Sequence, residues 1–340
     1  MYYITSAGID YSTANIEIRE KFSLTKAKQI EFYTYLKSLP DVLGATILST
    51  CNRMELYLSL KEGSQVEAFS LICTFLNIEE HAYVGKRVYY EQTALIEHLC
   101  LLACGAKSQI FGEDQIITQI KSAILLSREE DMTDSIMEVL FRTAISCGKK
   151  IKTTVNLTQK ETSIADYVID TIMEKKFPVE KVLVIGNGEM GRYMGEKLVR
   201  QGFMVWMSVR EYRHSKVQLP KGCMGVDYSK IYEKMQEVDA VVSATLSPHF
   251  TVKYQGFSTL LKKPKYLFDL AVPRDVDTDI ASIEGICIYD VDELSKNGSA
   301  DIHTKQLIEI KKITQKFIAD FEKWYSFKEG LCIYGEADEA

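Results

Sequence analysis

The chain contains no CxxC pair; its eight cysteines, at 51, 73, 100, 104, 147, 223, 287 and 332, are scattered singly. The opening "MYYITSAGID" has no basic-then-apolar layout of a secretion signal. Together these absences predict reduced thiols and a cytoplasmic protein. No apolar run reaches the roughly 18 residues of a membrane span, and "HLCLLACGAKSQIFG" is broken at Lys107, so no membrane contact is expected. Positive charge is not in excess: the net charge of -6 excludes a broad polycationic surface, while leaving room for a local basic groove. Internal repeats and low-complexity segments are also missing. What remains is an ordinary globular composition, 46% hydrophobic and 26% charged. At 340 residues the chain is too long for one core and predicts about two domains.

An α+β domain is expected over residues 1–155. "YYITSAGI", "GATILST" and "MELYLSL" have strand character, "LTKAKQIEFYTYLKSL" has helical spacing up to Pro40, and the pattern from Gln65 to Ile151 is helical. A linking helix is expected over 156–177 and a doubly wound α/β domain over 178–300. There "KVLVIG", "FMVWMSV", "DAVVSA" and "KYLFDLAV" are short apolar runs suited to strands buried on both faces. A long helix follows over 301–328, then an acidic tail over 329–340. The helix carries an apolar stripe at 307, 308, 310, 313, 317, 318 and 321, which needs a partner in this chain or in another subunit.

"VLVIGNGEMGRYMG" fits G-x-G-x-x-G between a strand and a helix, the context that gives the pattern meaning. Gly186 allows the tight turn, Gly188 lets the backbone approach a pyrophosphate, and Gly191 lets helix and strand pack closely. Asn187, Glu189 and Met190 complete the loop, and the helix N-terminus offers amides to the phosphates. The next strand ends "Ser208-Val209-Arg210" with Arg213 close behind. A guanidinium there favours a 2′-phosphate and hence NADPH; the adjacent Glu211 points the other way.

"LSTCNRMELY" places Cys51 between apolar residues and a guanidinium. On an extended chain Arg53 faces the same side as Cys51, while Thr50 and Asn52 face away unless the backbone turns there. Local chemistry alone favours a small buried hydrophobe over a nucleophile. Cys100 and Cys104 lie one helical turn apart near His98, but no further ligand completes a metal site, and core thiols are the simpler account. His98 alone is more simply an ordinary helix histidine.

Taken together, "IREKFSL", "STCNRMELY", "HLCLLACGAKSQIFGEDQIITQIKSA", "GNGEMG", "SATLSPH", "FDLAVPRDVD" and "YDVDEL" resemble, in order, the segments of glutamyl-tRNA reductase. That family opens tetrapyrrole (porphyrin and heme) synthesis from glutamate. The resemblance implies NADPH-dependent reduction of glutamyl-tRNA(Glu) to glutamate-1-semialdehyde through a cysteine thioester. It makes Cys51 the nucleophile and His98 an assisting residue. It assigns Thr50, Asn52, Arg53, Ser108, Glu113, Asp114, Gln115 and Gln119 to the glutamyl pocket, and Gly186 through Gly191 to NADPH. It implies no metal, and brings in a glutamate-1-semialdehyde aminotransferase as a second partner. Arg53 would fork onto the side-chain carboxylate of the substrate, and the two modules would close to bring nicotinamide to thioester.

Three features depart from the family pattern. Asp114 stands where the family has proline, adding charge beside the pocket and loosening the turn. "KIKTTV" replaces R-x-R-T-E-T, leaving Lys149, Lys150 and Lys152 as a phosphate-contacting strip or a solvated helix end. The family continues into a helical dimerisation domain, so a monomer or an atypical homodimer is expected here. These departures keep two rivals in view: a paralogue reducing another activated acyl group, and a non-catalytic NADP-binding regulator.

Overall fold

The computed structural model describes residues 2–155, 163–175, 177–209, 219–295 and 304–337. They form two compact units, one from residues 1–161 with 300–340 and the other from 162–299.

The first unit contains β1 (Tyr2–Asp10), α1 (Ile16–Phe22), α2 (Lys26–Lys37), β2 (Val42–Ser49), β3 (Arg53–Lys61), α3 (Ala68–Leu76), β4 (Val88–Glu91), α4 (Gln92–Ala103), α5 (Gln115–Glu129) and α6 (Ser135–Thr154). The strands make one antiparallel sheet in the order β2-β3-β1-β4. Strand β3 shows how the sequence divides its faces. Met54, Leu56, Leu58 and Leu60 point into a core with Phe22, Phe32 and Phe69 from α1, α2 and α3. The alternate residues Arg53, Glu55, Tyr57 and Ser59 face the other side and are buried as well; Tyr57 packs with Leu99 of α4 and Phe141 of α6. Helices thus cover both faces of the sheet, and one face carries a buried row of polar groups. Strand β4 lies in a stretch expected to be wholly helical. It is a four-residue edge strand whose Tyr89 and Glu91 are exposed, too short and polar to show an alternating pattern.

The second unit contains α7 (Ile164–Met173), β5 (Lys181–Ile185), α8 (Glu189–Arg200), β6 (Met204–Val209), β7 (Met224–Asp227), α9 (Ile231–Met235), β8 (Ala240–Ser243), α10 (Tyr254–Ser258), β9 (Tyr266–Asp269), β10 (Cys287–Asp290) and α11 (Val291–Ser295). All six strands are parallel in the order β10-β9-β8-β5-β6-β7. This is the doubly wound arrangement, with its switch point between β5 and β8. The apolar runs at 182–185, 205–207, 240–243 and 266–268 are its buried centre. The outer strands β7 and β10 had no such run to reveal them, because their side chains are mostly exposed or half-buried.

The helix expected to link the units, α7, packs on α8 and α11 within the second unit. It opens with a capping box in which Ser163 and Asp166 satisfy one another's groups. The long helix, α12 (Thr304–Ala337), outruns its expected end at 328 and takes in most of the stretch expected to be an acidic tail. Its stripe finds its partner in this chain: α12 packs on α4 and α6, burying Ile310, Thr314, Ile318 and Phe321. Leu307 and Ile308 belong to the expected stripe but are 39% and 63% exposed. Among the described residues no helix is long and apolar enough to cross a membrane.

Candidate active site

Cys51 sits in the turn joining β2 to β3, not on a strand. The hairpin is pinned by the pair Ser49–Met54, and Thr50 N–H donates to the Arg53 carbonyl at 2.8 Å. The Thr50 hydroxyl accepts from the N–H groups of Asn52 and Arg53, both at 3.2 Å, the local device by which threonine closes a turn. Buried Arg19 of α1 donates through Nε to the Cys51 carbonyl at 3.3 Å, and Tyr11 N–H to the Asn52 carbonyl at 2.9 Å. The turn is therefore fastened from two sides. The chain is not extended here: the backbone turns, and Thr50 and Asn52 line the same pocket as Cys51.

Opposite this turn lies the loop 105–114. Gly105 and Gly112 have φ of +84° and +79°, a region that favours glycine. Gly112 N–H donates to the Gly105 carbonyl at 3.0 Å. From α6, Lys152 Nζ donates to the carbonyls of Gly112 (3.1 Å) and Glu113 (2.8 Å) and pairs with the Asp114 carboxylate. Asp114, in place of proline, thus gains a partner in Lys152, which ties this part of the loop to α6. Lys152 is in consequence turned onto the loop, whereas Lys149 and Lys150 remain exposed on α6.

Between turn and loop is a narrow pocket lined by Thr50, Cys51, Asn52, Arg53, Ser108, Glu113, Ile116 and Gln119. Seven of these were singled out in the sequence, and Ile116 was not. Asp114 and Gln115, also singled out, lie off the lining, as does His98.

His98 belongs to the polar row beneath the pocket. Its Nε2 is 3.0 Å from Glu55 Oε2, and its ring stacks on Tyr90 at 3.9 Å between centroids. Its buried Nδ1 meets no partner among the described residues. Arg53 Nη1 is 2.6 Å from Glu55 Oε1 and 3.7 Å from Asp10 Oδ2, Nη2 donates to the Lys107 carbonyl, and Tyr57 donates to Glu55. The Arg53 fork is already engaged inside the protein. Burial alone would raise the Glu55 pKa, but His98 and Arg53 outweigh it and hold this carboxyl well below the usual range. The signal for this row was legible: Arg53, Glu55 and Tyr57 alternate on one strand face.

Burial, with Glu113 second, pushes the Cys51 thiol up to about 12, against the pull of Arg19 and Arg53. Burial also raises the Glu113 pKa, which Lys152 and Arg53 only partly offset. At neutral pH the resting pocket therefore holds a thiol rather than a thiolate.

In the second unit, Gly186 has φ +110°, and a Cβ there would meet the Ala244 carbonyl oxygen at 2.5 Å. Its N–H donates to Ser208 Oγ at 3.0 Å. A Cβ on Gly191 would stand 2.1 Å from the Gly186 carbonyl oxygen. At Gly188, by contrast, a Cβ would meet nothing within 4 Å. The fold itself needs no glycine there, and the bare backbone leaves open space for a ligand to approach. The buried Asn187 Oδ1 also lacks a partner among the described residues. An open cradle at the start of α8 with an unanswered polar atom fits a dinucleotide. Gly188→Ala is expected to keep the thermal unfolding midpoint within about 1 °C and weaken nicotinamide nucleotide binding about tenfold or more, whereas Gly191→Ala should lower the midpoint by several degrees. Calorimetry and titration on the two variants check this. Arg210, with Glu211 and Arg213, lies outside the described residues.

A doubly wound parallel sheet with a dinucleotide cradle, joined in one chain to a thiol-bearing polar pocket, defines a nicotinamide-dependent oxidoreductase. Residues 7–155 match the family model described as "Glutamyl-tRNAGlu reductase, N-terminal domain", and 169–297 match "Shikimate / quinate 5-dehydrogenase". The chain is 43% identical over 330 residues to a glutamyl-tRNA reductase of Acetivibrio thermocellus, covering 97% of this chain and 99% of that one. It is 44% identical over 332 residues to a glutamyl-tRNA reductase of Alkaliphilus oremlandii, with coverage of 97% and 99%. The structure of glutamyl-tRNA reductase from Methanopyrus kandleri shares the fold, with a TM-score of 0.51 and 23% identity over 95% of this chain and 80% of that one. The chain belongs to the glutamyl-tRNA reductase family. Both Acetivibrio and Alkaliphilus relatives are covered almost end to end, so the family includes proteins of this span.

Proposed function

We propose that Cys51 is the nucleophile through which this glutamyl-tRNA reductase converts the esterified glutamate of its tRNA substrate to glutamate-1-semialdehyde, with NADPH as reductant. The observation that carries the proposal is the lining of the pocket: one thiol, Cys51, among Asn52, Arg53, Ser108, Glu113 and Gln119. An aminoacyl ester is already activated, so attack by sulfur expels the ribose hydroxyl and leaves a thioester on Cys51. The reduced nicotinamide, when bound, supplies the hydride that takes the thioester carbonyl to the aldehyde level. Cys51 is then released as the hemithioacetal collapses, which stops the reduction at the aldehyde.

The protein's own groups do the rest. The fastened turn at 50–53 holds the sulfur in place, and the narrow lining keeps bulk water from hydrolysing the thioester. Asn52, Ser108 and Gln119 offer hydrogen bonds to the amino and carboxylate ends of the glutamyl group, and the positive charge of Arg53 favours its carboxylate. The same proposal makes the protein cytoplasmic and passes the aldehyde to a glutamate-1-semialdehyde aminotransferase.

The choice of NADPH over NADH rests on the sequence, in which Arg210 follows Val209, the last residue of β6. NADPH is expected to bind about tenfold or more tightly than NADH, and Arg210→Ala to remove most of that preference while leaving NADH affinity unchanged. Fluorescence titration of both nucleotides checks it; equal affinities in the unaltered protein contradict it.

A further inference from the structure

We infer that Glu113 is the proton acceptor that converts the Cys51 thiol to its thiolate and returns the proton to the departing ribose oxygen. The inference rests on the proposal that Cys51 is the nucleophile, and adds the group that activates it. The lining decides it. Of Thr50, Cys51, Asn52, Arg53, Ser108, Glu113, Ile116 and Gln119, Glu113 alone carries a carboxylate that can accept the thiol proton and give it back; Arg53 stays charged throughout. His98, the other base close by in sequence logic, is off the lining with Nε2 held by Glu55.

Glu113 is placed for the task by its backbone. Its N–H donates to the Ile110 carbonyl at 3.2 Å and its carbonyl accepts from Lys152 Nζ at 2.8 Å. Gly105 packs so closely that a Cβ on it would come within 2.8 Å of the Glu113 N atom. These contacts fix the loop on itself and on α6, and Arg53 Nη2, donating to the Lys107 carbonyl, ties it to the turn that carries Cys51. The charged groups acting on Glu113 are Lys152 on α6, Arg53 on β3 and its neighbour Asp114. Burial leaves its carboxyl above the ordinary range and so closer to neutral pH, where a general base is most effective.

The proton balance closes without any other reagent. Cys51 S–H gives its proton to the Glu113 carboxylate, and the sulfur lone pair forms the C–S bond at the ester carbonyl. The C–O bond to ribose breaks, and the protonated Glu113 supplies the proton that the leaving oxygen takes. Glu113 ends as carboxylate and the substrate's acyl group ends on sulfur; nothing is oxidised or reduced in this half of the reaction.

The inference makes an unusual joint prediction, because Glu113 also opposes the thiolate electrostatically. Glu113→Gln should slow transfer of the glutamyl group from glutamyl-tRNA to the protein on the order of 10²-fold. The same variant should react several-fold faster with iodoacetamide at pH 8, its alkylation curve moving to lower pH as the neighbouring negative charge is lost. Glu113→Asp, which keeps the carboxylate, should recover part of the acyl transfer. Acyl transfer at the unaltered rate in Glu113→Gln overturns the inference. So does slow transfer with an unmoved alkylation curve, which marks a binding role only. Continued acylation of Cys51→Ser, measured alongside, instead overturns the proposal for Cys51 itself.

Discussion

Cys51→Ser is expected to lower reduction of glutamyl-tRNA by about 10⁴-fold or more and to leave no glutamyl group on the protein. Nucleotide binding should be unchanged. The size of the effect follows from the chemistry. A serine hydroxyl is far less acidic and less nucleophilic than a thiol, so Glu113 cannot activate it to the same degree, and an oxygen ester accepts hydride poorly compared with a thioester. The separation of the two effects follows from the fold: the cradle at Gly186 to Gly191 belongs to the second compact unit, whereas Cys51 belongs to the first. Serine is close to cysteine in volume, and the turn is closed by Thr50, Arg19 and Tyr11 rather than by the sulfur. Loss of activity with an unaltered unfolding transition is therefore the expected pattern. An unfolding transition lowered as far as the activity would instead make Cys51 a packing residue.

The second large effect concerns stability. Glu55→Ala leaves the buried Arg53 and His98 without the carboxylate between them, and removing one partner of a buried ionic network costs about 3–5 kcal/mol. The exposed pair of Lys28 and Glu31 on α2, 2.6 Å apart, supplies the contrast. Glu31→Ala should change stability by less than about 1 kcal/mol. Urea unfolding of both variants measures the difference. The pH dependence has a definite sign. The Glu55 pKa is depressed in the folded protein relative to about 4.3 in the unfolded chain. The unfolded chain then binds more protons in that interval, so stability rises with pH across it. The contribution is complete above roughly pH 4.3 and is lost as pH falls through the folded value. The unaltered protein should lose stability steeply in acid, and Glu55→Ala should show a flatter acid limb. Equal acid limbs would mean that Glu55 is not charged in the fold.

Much of this architecture was legible because burial writes itself into apolar pattern. The strands β5, β8 and β9 are almost wholly covered and β6 is covered at Val205, Met207 and Ser208, so all four are written as short apolar runs. Edge strands β4, β7 and β10 are short and partly exposed and left no such trace. The glycine turn was readable for a related reason: the approach of backbone to backbone at Gly191 permits no side chain. The pocket was harder. Its halves, 50–53 and 108–119, are joined by long-range contacts such as the bond from Tyr11 to the Ser108 carbonyl at 3.1 Å. Spacing along the chain says nothing of such contacts, and the resemblance to a family supplied the residues instead. The consequence of Asp114 was misjudged because its partner, Lys152, comes from α6, 38 positions away. The role first imagined for Arg53 overlooked Glu55, two residues along the same buried strand face.

The most direct measurement of the central claim uses the unaltered protein, charged glutamyl-tRNA and no nucleotide. After acid quench and digestion, mass spectrometry should find a glutamyl group on the peptide containing Cys51. Addition of NADPH before the quench should clear it, with release of a five-carbon amino aldehyde. Aldehyde formed at full rate while the Cys51 peptide stays unmodified, or a glutamyl group carried on another cysteine, would contradict the account.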